Sequence, residues 1–292
     1  MADVIAAREA ADAAAAASGV IVAEAVDREA QDAARGLFDE VWPGDLGTQV
    51  TPNLLRALLH AGSYCSVATD VSTGAHVGAA FGFPGRDARV PGGIFLHSHM
   101  AGVTEGLRDR RIGTALKLHQ RWWAMREGIP VISWTFDPLV RRNARLNVIR
   151  LGVEVRDYHP DFYGVMTDAI NAGDRTDRLV ALWVIGSDRA TRAAVGGLEP
   201  ADAERLRVEG ARDLVAVGKA GEPVVGPPPR AGETLIVALP EDVVSLRREF
   251  PEVALDWRLA VRDALVGSFA CGLSIETVTE DGSYVLKPRG DS

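Results

Sequence analysis

The stretch VTEGLRDRRIGTAL, residues 103 to 116, decides the fold, because it leads from a strand into a helix through an arginine-rich turn. The strand before it is GGIFLHSHMAGV (92 to 103), and we expect the helix to run from about Arg111 to Glu127. The first backbone N–H groups of a helix lack partners within the helix and lie at the positive end of its dipole. The natural ligand of such an entrance is a phosphate or pyrophosphate.

The side chains of this turn also favour the binding of an anion. Gly113 and Ala115 leave the backbone accessible, and Arg108, Arg110 and Arg111 would add charge-assisted hydrogen bonds to phosphate oxygens. The alternative is a solvated surface turn, in which the small residues only allow close helix packing. From the turn alone, the solvated surface turn is the better interpretation.

Composition limits the classes of protein that fit. The chain has 292 residues, a net charge of −8 and 47% hydrophobic residues, which indicates a folded protein of one large or two moderate domains. The acidic balance argues against nucleic-acid or anionic-membrane binding, and no apolar run approaches the roughly 20 residues that span a bilayer. We expect residues 1–18 to form an N-terminal helical tail. With Cys65 and Cys271 alone, no disulfide framework is implied, and a cytoplasmic location fits.

Strand and helix patterns alternate over residues 19 to 187 in the order β-α-α-β-β-β-α-β-α-β-β. Thr51 and Pro52 are typical of an N-cap and first helical position, and Asp137 before Pro138 is a second expected N-cap. The order predicts an α/β (α+β) fold, with a mixed, mostly antiparallel sheet flanked by helices.

The chain changes character near residue 188, where polar segments and the proline-rich EPVVGPPPRAG precede a strand, a helix and a strand. We expect residues 188–292 to form a smaller α+β extension that packs on the first domain, because its strands are too few for a self-sufficient sheet. Its long helix would bury an apolar stripe. The residues of that stripe are Leu255, Leu259, Val266 and Phe269.

The motif around Gly113 resembles a known family signature. Residues Arg110 to Ala115, RRIGTA, match the Q/R-x-x-G-x-G/A signature of the GNAT superfamily of acyl-CoA-dependent N-acyltransferases, and Val103 precedes it at the family's spacing. NARLNVIRLGV (143 to 153) resembles the family's asparagine-bearing helix, and WTFDPL with NARLN resembles a branch of predicted acetyltransferases with a C-terminal extension. The resemblance covers about residues 19 to 187.

The resemblance implies direct transfer of an acyl group from acetyl-CoA to an amine, without an acyl-enzyme intermediate. The fourth strand would leave the fifth, so that main-chain groups are free for the thioester and pantetheine, and Asn143 and Asn147 would bond the pantetheine amides. Local helix-end hydrogen bonding is the alternative for the asparagines. The implied acetyl-CoA-binding residues are Ala101, Gly102, Val103, Arg108, Arg110, Arg111, Ile112, Gly113, Thr114, Ala115, Asn143 and Asn147.

Two histidines are the candidate proton acceptors. His99 stands where many relatives have a glutamate, and His97 lies two residues earlier on the same strand face. A neutral imidazole can accept the amine proton directly or through water. The alternative is that both are partly buried sheet residues. Two histidines lack the further ligands of a zinc site, so we predict no metal.

The position at which many relatives have their general acid differs in this chain. Many relatives have a tyrosine where this chain has Val148, so that role cannot be carried over. Tyr158 and Tyr163 would supply a phenol from the next segment, although packing or lining a pocket is the preferred interpretation, and water is another proton source.

The resulting hypothesis is a GNAT-fold acyltransferase that transfers acetyl from acetyl-CoA to the amine of a small molecule, with no nucleic-acid or membrane partner. Transfer of a longer acyl group, transfer to a peptide amine and a homodimeric assembly stay open. The alternative from a different class is a catalytically altered module that binds acyl-CoA.

Overall fold

The structure of the protein, a computed structural model, describes residues 1–43, 48–164 and 175–290, without the side chains of Arg108 and Arg156. In chain order the first elements are α1 (Ala2–Ala17), β1 (Val20–Glu24), α2 (Arg28–Val41), α3 (Pro52–His60), β2 (Tyr64–Asp70), β3 (His76–Arg86), β4 (Ile94–Val103), α4 (Ile112–Arg126) and β5 (Val131–Phe136). The later elements are α5 (Arg141–Arg145), β6 (Glu154–His159), β7 (Arg178–Val184), α6 (Asp188–Ala194), α7 (Ala203–Val208), β8 (Arg212–Val217), β9 (Pro223–Val225), β10 (Leu235–Val237), α8 (Val243–Glu249), α9 (Pro251–Ala270), β11 (Leu273–Val278) and β12 (Tyr284–Pro288).

The chain forms two compact units. Unit 1 comprises Met1–Trp134 and Trp183–Gly197, and unit 2 comprises Thr135–Leu182 and Leu198–Ser292. These units cut the chain at other places than the boundaries predicted at residues 18 and 187. The division into a catalytic domain and an extension therefore stays a prediction.

Unit 1 has a sheet in which β1, β2, β3 and β4 are antiparallel neighbours and β5 is parallel to β4. Residues of α2 and α3 pack with residues of the central strands in one apolar core. The predicted N-cap of α3 is confirmed, because the Thr51 hydroxyl accepts from the Leu54 N–H. The N-terminal segment is a helix as predicted, and α1 packs against α4. Its buried positions are the small residues Ala7, Ala11 and Ala15, so the two helices can approach closely.

Unit 2 has strands in the order β7-β6-β11-β12-β10-β8-β9, and only the β8–β10 pairing is parallel among the described residues. The mixed, mostly antiparallel α/β architecture is therefore confirmed. The expectation of too few C-terminal strands was wrong. Strands β9 and β10 span three residues each, which is too short to show a period in the sequence.

Helix α9 buries a different face from the predicted one. Leu255, Leu259 and Val266 are 39%, 36% and 43% exposed, whereas the buried stripe includes Trp257 and Arg258. The sequence did not predict this stripe, because it contains Arg258, and arginines are seldom buried. Although α9 is long, no helix in the described ranges is both long and apolar enough to cross a membrane.

The buried arginine of α9 binds the aspartate that was expected to be an N-cap. Asp137 accepts from Arg258 at 2.8 and 3.1 Å, accepts from Arg247 as well, and takes the Leu139 N–H at 2.9 Å. Helix α5 begins only at Arg141 and has no side-chain cap. The N-cap prediction for Asp137 was therefore wrong, because the helix begins four residues later, after Val140.

Candidate functional site

Strand β4 and the part of β5 that belongs to unit 1, residues 131–134, pair over a short distance. Their parallel ladder joins Leu96 to Ile132 and His97 to Ser133, and within the described residues it ends there. From Ser98 to Val103, β4 remains paired with β3 on its other edge. The edge of β4 that faces β5 therefore offers free main-chain groups, which we call the strand gap.

His99 lies at a bulge where the gap begins. The register of β3 and β4 pairs Phe81 with Met100 and Gly82 with Ser98, so His99 is the extra residue of β4. Its ring centroid is 5.8 Å from that of His97 and 5.7 Å from that of Phe83. The structure therefore brings the two predicted histidines together in an aromatic cluster on one face of β4.

Both histidines are neutral at neutral pH. Burial, then the charges of His99 and Lys117, lower the pKa of His97 to about 4. Desolvation also lowers the pKa of His99, although this residue is exposed in part. A neutral imidazole accepts a proton, and His99 is the better placed of the two because it is the more exposed.

The entrance to α4 presents unpaired N–H groups, as the sequence predicted for this position. Arg111 adopts a left-handed conformation with φ of 63° and precedes the helix. Within the described residues, the N–H groups of Ile112 and Gly113 have no acceptor, and the first bonds run from Thr114 and Ala115 to the Arg111 carbonyl. A Cβ at Gly113 would meet no atom within 4 Å. This side of the helix entrance is open to a ligand.

The three arginines of the turn do not act alike. The Arg110 guanidinium donates to Asp70 at 2.6 Å and to the Ser18 carbonyl at 3.0 Å, which ties α4 to the start of β1 and the end of β2. Arg111 is exposed and has no partner among the described residues, so it is the arginine available to an anion. The side chain of Arg108 lies outside the described part of the chain.

Gly102 lies in β4 where a bulky side chain packs on the strand. A Cβ at this position would lie 3.0 Å from the Trp42 ring and 3.1 Å from Val41. The segment that approaches Gly102 closely is therefore the end of α2, while the bulge of β4 lies at His99. Ala101 is exposed and Val103 is half-buried on either side.

Lys117 is the residue of this region that sequence reasoning missed. It is buried on α4, its Nζ donates to Ser98 Oγ at 2.7 Å, and it lies 3.7 Å from the centroid of the Trp134 ring. Burial lowers the pKa of Lys117 to about 7. Its position in an apolar helical stripe was the available signal, because a lysine in such a stripe rarely lacks a role.

The two tyrosines predicted as candidate acids, Tyr158 and Tyr163, belong to unit 2. The Tyr158 hydroxyl donates to Asp177 at 2.5 Å, and burial followed by this carboxylate raises the pKa of Tyr158. Asp177 also binds Arg262 at 2.6 Å. Tyr158 is thus held in a structural cluster, and its proton is less available than that of an ordinary phenol.

Tyr163 is the more accessible tyrosine, and its hydroxyl lies 2.9 Å from Thr135 Oγ1. Asn143 is half-buried on α5, whereas Asn147 is buried in a π-helical turn, Leu146–Arg150. The roles predicted for these residues stay predictions.

A cavity of about 660 Å³ lies elsewhere in unit 1, between β1, α3 and the end of α4. Its described lining includes Arg56, His60 and Trp123, and none of the predicted site residues. Within the described ranges, no group of three histidine, cysteine, aspartate or glutamate side chains is arranged to hold a metal ion.

No protein-family model and no curated protein matches the chain. Among solved structures it is similar to aminoglycoside 6'-acetyltransferase type Ii, with 18% identity over 57% of this chain and 98% of that one, at a TM-score of 0.43. It is also similar to an acetyltransferase of the GNAT family from Streptococcus pneumoniae, with 12% identity, coverage of 57% and 99%, and a TM-score of 0.45. A third is Arabidopsis thaliana Naa50 in complex with the bisubstrate analogue CoA-Ac-MVNAL, with 16% identity, coverage of 56% and 97%, and a TM-score of 0.41. The similarity covers slightly more than half of this chain.

Proposed function

We propose that the protein is a GNAT-type N-acyltransferase that transfers acetyl from acetyl-CoA to the amine of a small molecule. The observation that carries the proposal is the pairing of the strand gap with the open entrance of α4. The gap begins after His97, and the free N–H groups are those of Ile112 and Gly113, after the turn that follows β4. Free N–H groups at the entrance suit the pyrophosphate of CoA, and free main-chain groups along β4 suit its pantetheine arm and thioester.

In the proposed reaction the neutral amine attacks the thioester carbonyl, a carbon–nitrogen bond forms and the carbon–sulfur bond breaks. His99 accepts the amine proton, directly or through water, and the CoA thiolate leaves with the electron pair. Holding both reactants in one site makes the attack effectively unimolecular.

The helix entrance supplies the direct test. Gly113→Asp places a carboxylate where the pyrophosphate would bind, and its repulsion should abolish CoA binding measured by calorimetry while the fold survives. Gly36→Asp is the matched control, because Gly36 is exposed on α2 and a Cβ there also meets nothing within 4 Å. Equal CoA affinity in both variants and the wild type would contradict the proposal.

A second candidate is an acyl-CoA-binding module that has lost catalysis. It is favoured by Val148 at the position of the usual tyrosine, and by the engagement of Tyr158 with Asp177. Release of free thiol from acetyl-CoA with a panel of amines separates the two: an enzyme releases thiol with at least one amine, and a binding module with none.

A further inference from the structure

Lys117 is a buried cation with an unusual environment. Two of its neighbours, Ser98 on β4 and Trp134 on β5, are each the next residue after the last pair of the parallel ladder, His97 with Ser133. Lys117 therefore marks the point where the two strands part.

The polar groups around Lys117 contain more donors than acceptors. Nζ donates to Ser98 Oγ and lies 3.4 Å from Gln120 Oε1, while the Nε2 group of Gln120 is buried without a partner among the described residues. No carboxylate of the described chain pairs with Lys117, and the face of the Trp134 ring adds negative potential on one side. Unsatisfied buried donors are costly, so a fold that keeps them commonly uses them.

The sequence makes this lysine more conspicuous. The chain has 29 arginines and three lysines, namely Lys117, Lys219 and Lys287. A compact ammonium on a flexible stem can be buried under a strand, whereas a planar guanidinium needs more space and more acceptors.

We propose that Lys117 is a positioning residue for acyl transfer: its ammonium, anchored on Ser98 where β4 leaves β5, supplies the positive potential that stabilises negative charge on the thioester as the acyl group leaves sulfur. The inference rests on the proposed function and deepens it. Lys117 gives up no proton in the step, because the amine proton passes to His99 and the electron pair of the broken bond stays on sulfur. Fixed positive potential in a site without water is an effective way to stabilise such charge.

The small number of lysines gives a direct test in the full-length protein. With ¹³C at lysine Cε, the spectrum should contain three signals, and Lys117→Met, or Lys117→Arg if the first variant does not fold, assigns the buried one. CoA should shift the Lys117 signal. The nucleotide 3′-phosphoadenosine 5′-diphosphate, which has the phosphates but no pantetheine, should leave it unchanged, with Lys219 and Lys287 as internal references.

Kinetics give the second measurement. Lys117→Met should lower kcat by about 10²-fold, the effect of losing one oriented donor in other acyl-transfer sites, with little change in the KM for acetyl-CoA. Lys219→Met is the matched control, since Lys219 is exposed in unit 2, and it should keep full activity. If CoA binds by calorimetry while the Lys117 signal does not move and kcat is unchanged, the inference fails and the proposed function stands. If CoA does not bind the wild-type protein, both fail.

Discussion

A single histidine carries the chemistry that we propose for β4. His99 lies at the bulge, is exposed in part and has a lowered pKa, whereas His97 is less exposed and has a pKa of about 4. A base with so low a pKa accepts protons weakly, so His99 is the better candidate. The sequence correctly placed both histidines on the same strand face. It could not tell which of them is the better base, because the burial of each imidazole depends on Phe83 of the neighbouring strand.

We expect His99→Ala to lower kcat/KM by about 10²-fold at neutral pH, the usual contribution of a general base. CoA affinity should stay nearly unchanged, since the phosphate site does not involve this residue. Because the pKa of His99 is lowered, the acidic limb of the wild-type profile of kcat/KM against pH should lie below pH 6.5. His60→Ala, a change at an exposed histidine of α3, is the control. An unaltered pH profile in His99→Ala would assign the proton to water or to another residue.

Asp137 shows how a residue motif can mislead. Asp followed by Pro is a common helix start, and nothing in the sequence near Asp137 reveals Arg247 and Arg258, which lie more than a hundred positions later. Burial would raise the pKa of Asp137, but Arg258, Arg247 and the Leu139 N–H outweigh it and lower the pKa. The stabilisation is therefore present above the unfolded-state pKa of about 3.9 and is lost as the pH falls below it.

We expect Asp137→Asn to lower the free energy of unfolding by about 3–5 kcal/mol at pH 7, because it removes the negative charge that Arg258 and Arg247 bind in this buried cluster. The loss should shrink as the pH falls below 4, because the carboxyl then becomes protonated in the unfolded wild-type chain while it stays ionised in the folded protein. Urea unfolding measures both effects, with Asp256→Asn on the exposed side of α9 as the control. Adding Arg258→Met should recover part of the loss, and a double variant no better than the single one would argue against the ion pair as the cause.

At the scale of elements, regular patterns were predictable and contacts across the chain were not. The sequence placed the start of α3, strand β4 and helix α4 close to where they lie, because a capping residue or a local period marks each of them. The strand gap could be predicted only through the family resemblance, because no sequence pattern in either strand shows where the hydrogen-bonded ladder between them ends. Helix α9 misled because it has two apolar stripes, and the one that contains Arg258 is buried.

At the scale of the whole molecule, the compact units divide the chain differently from the predicted domains. Residues 135–182, which the resemblance assigns to the catalytic domain, form one unit with residues 198–292. Within this unit, Arg258 binds Asp137 and Arg262 binds Asp177. The C-terminal residues thus supply countercharges and strands that the preceding segment needs.

We expect a chain ended at Ser187 to lose cooperative unfolding and to bind a dye that reports exposed apolar surface. The physical reason is that truncation removes the arginines that bind Asp137 and Asp177, together with strands β8 to β12. Thermal unfolding followed by circular dichroism is the measurement, and the full-length chain is the reference. A truncated protein with an unchanged Tm and full activity would show that the extension is an independent module.

The burial of Lys117 also bears on what the protein does to itself. Acetyl thioesters acylate exposed ε-amines without any enzyme, so a protein that keeps such a reagent bound risks covering its own surface with amides. This chain places its positive charge almost entirely on guanidinium groups, which do not react in this way. One of its three lysine ε-amines, that of Lys117, is buried inside unit 1. Long exposure to its proposed donor should therefore leave its surface charge, and with it its solubility, nearly unaltered.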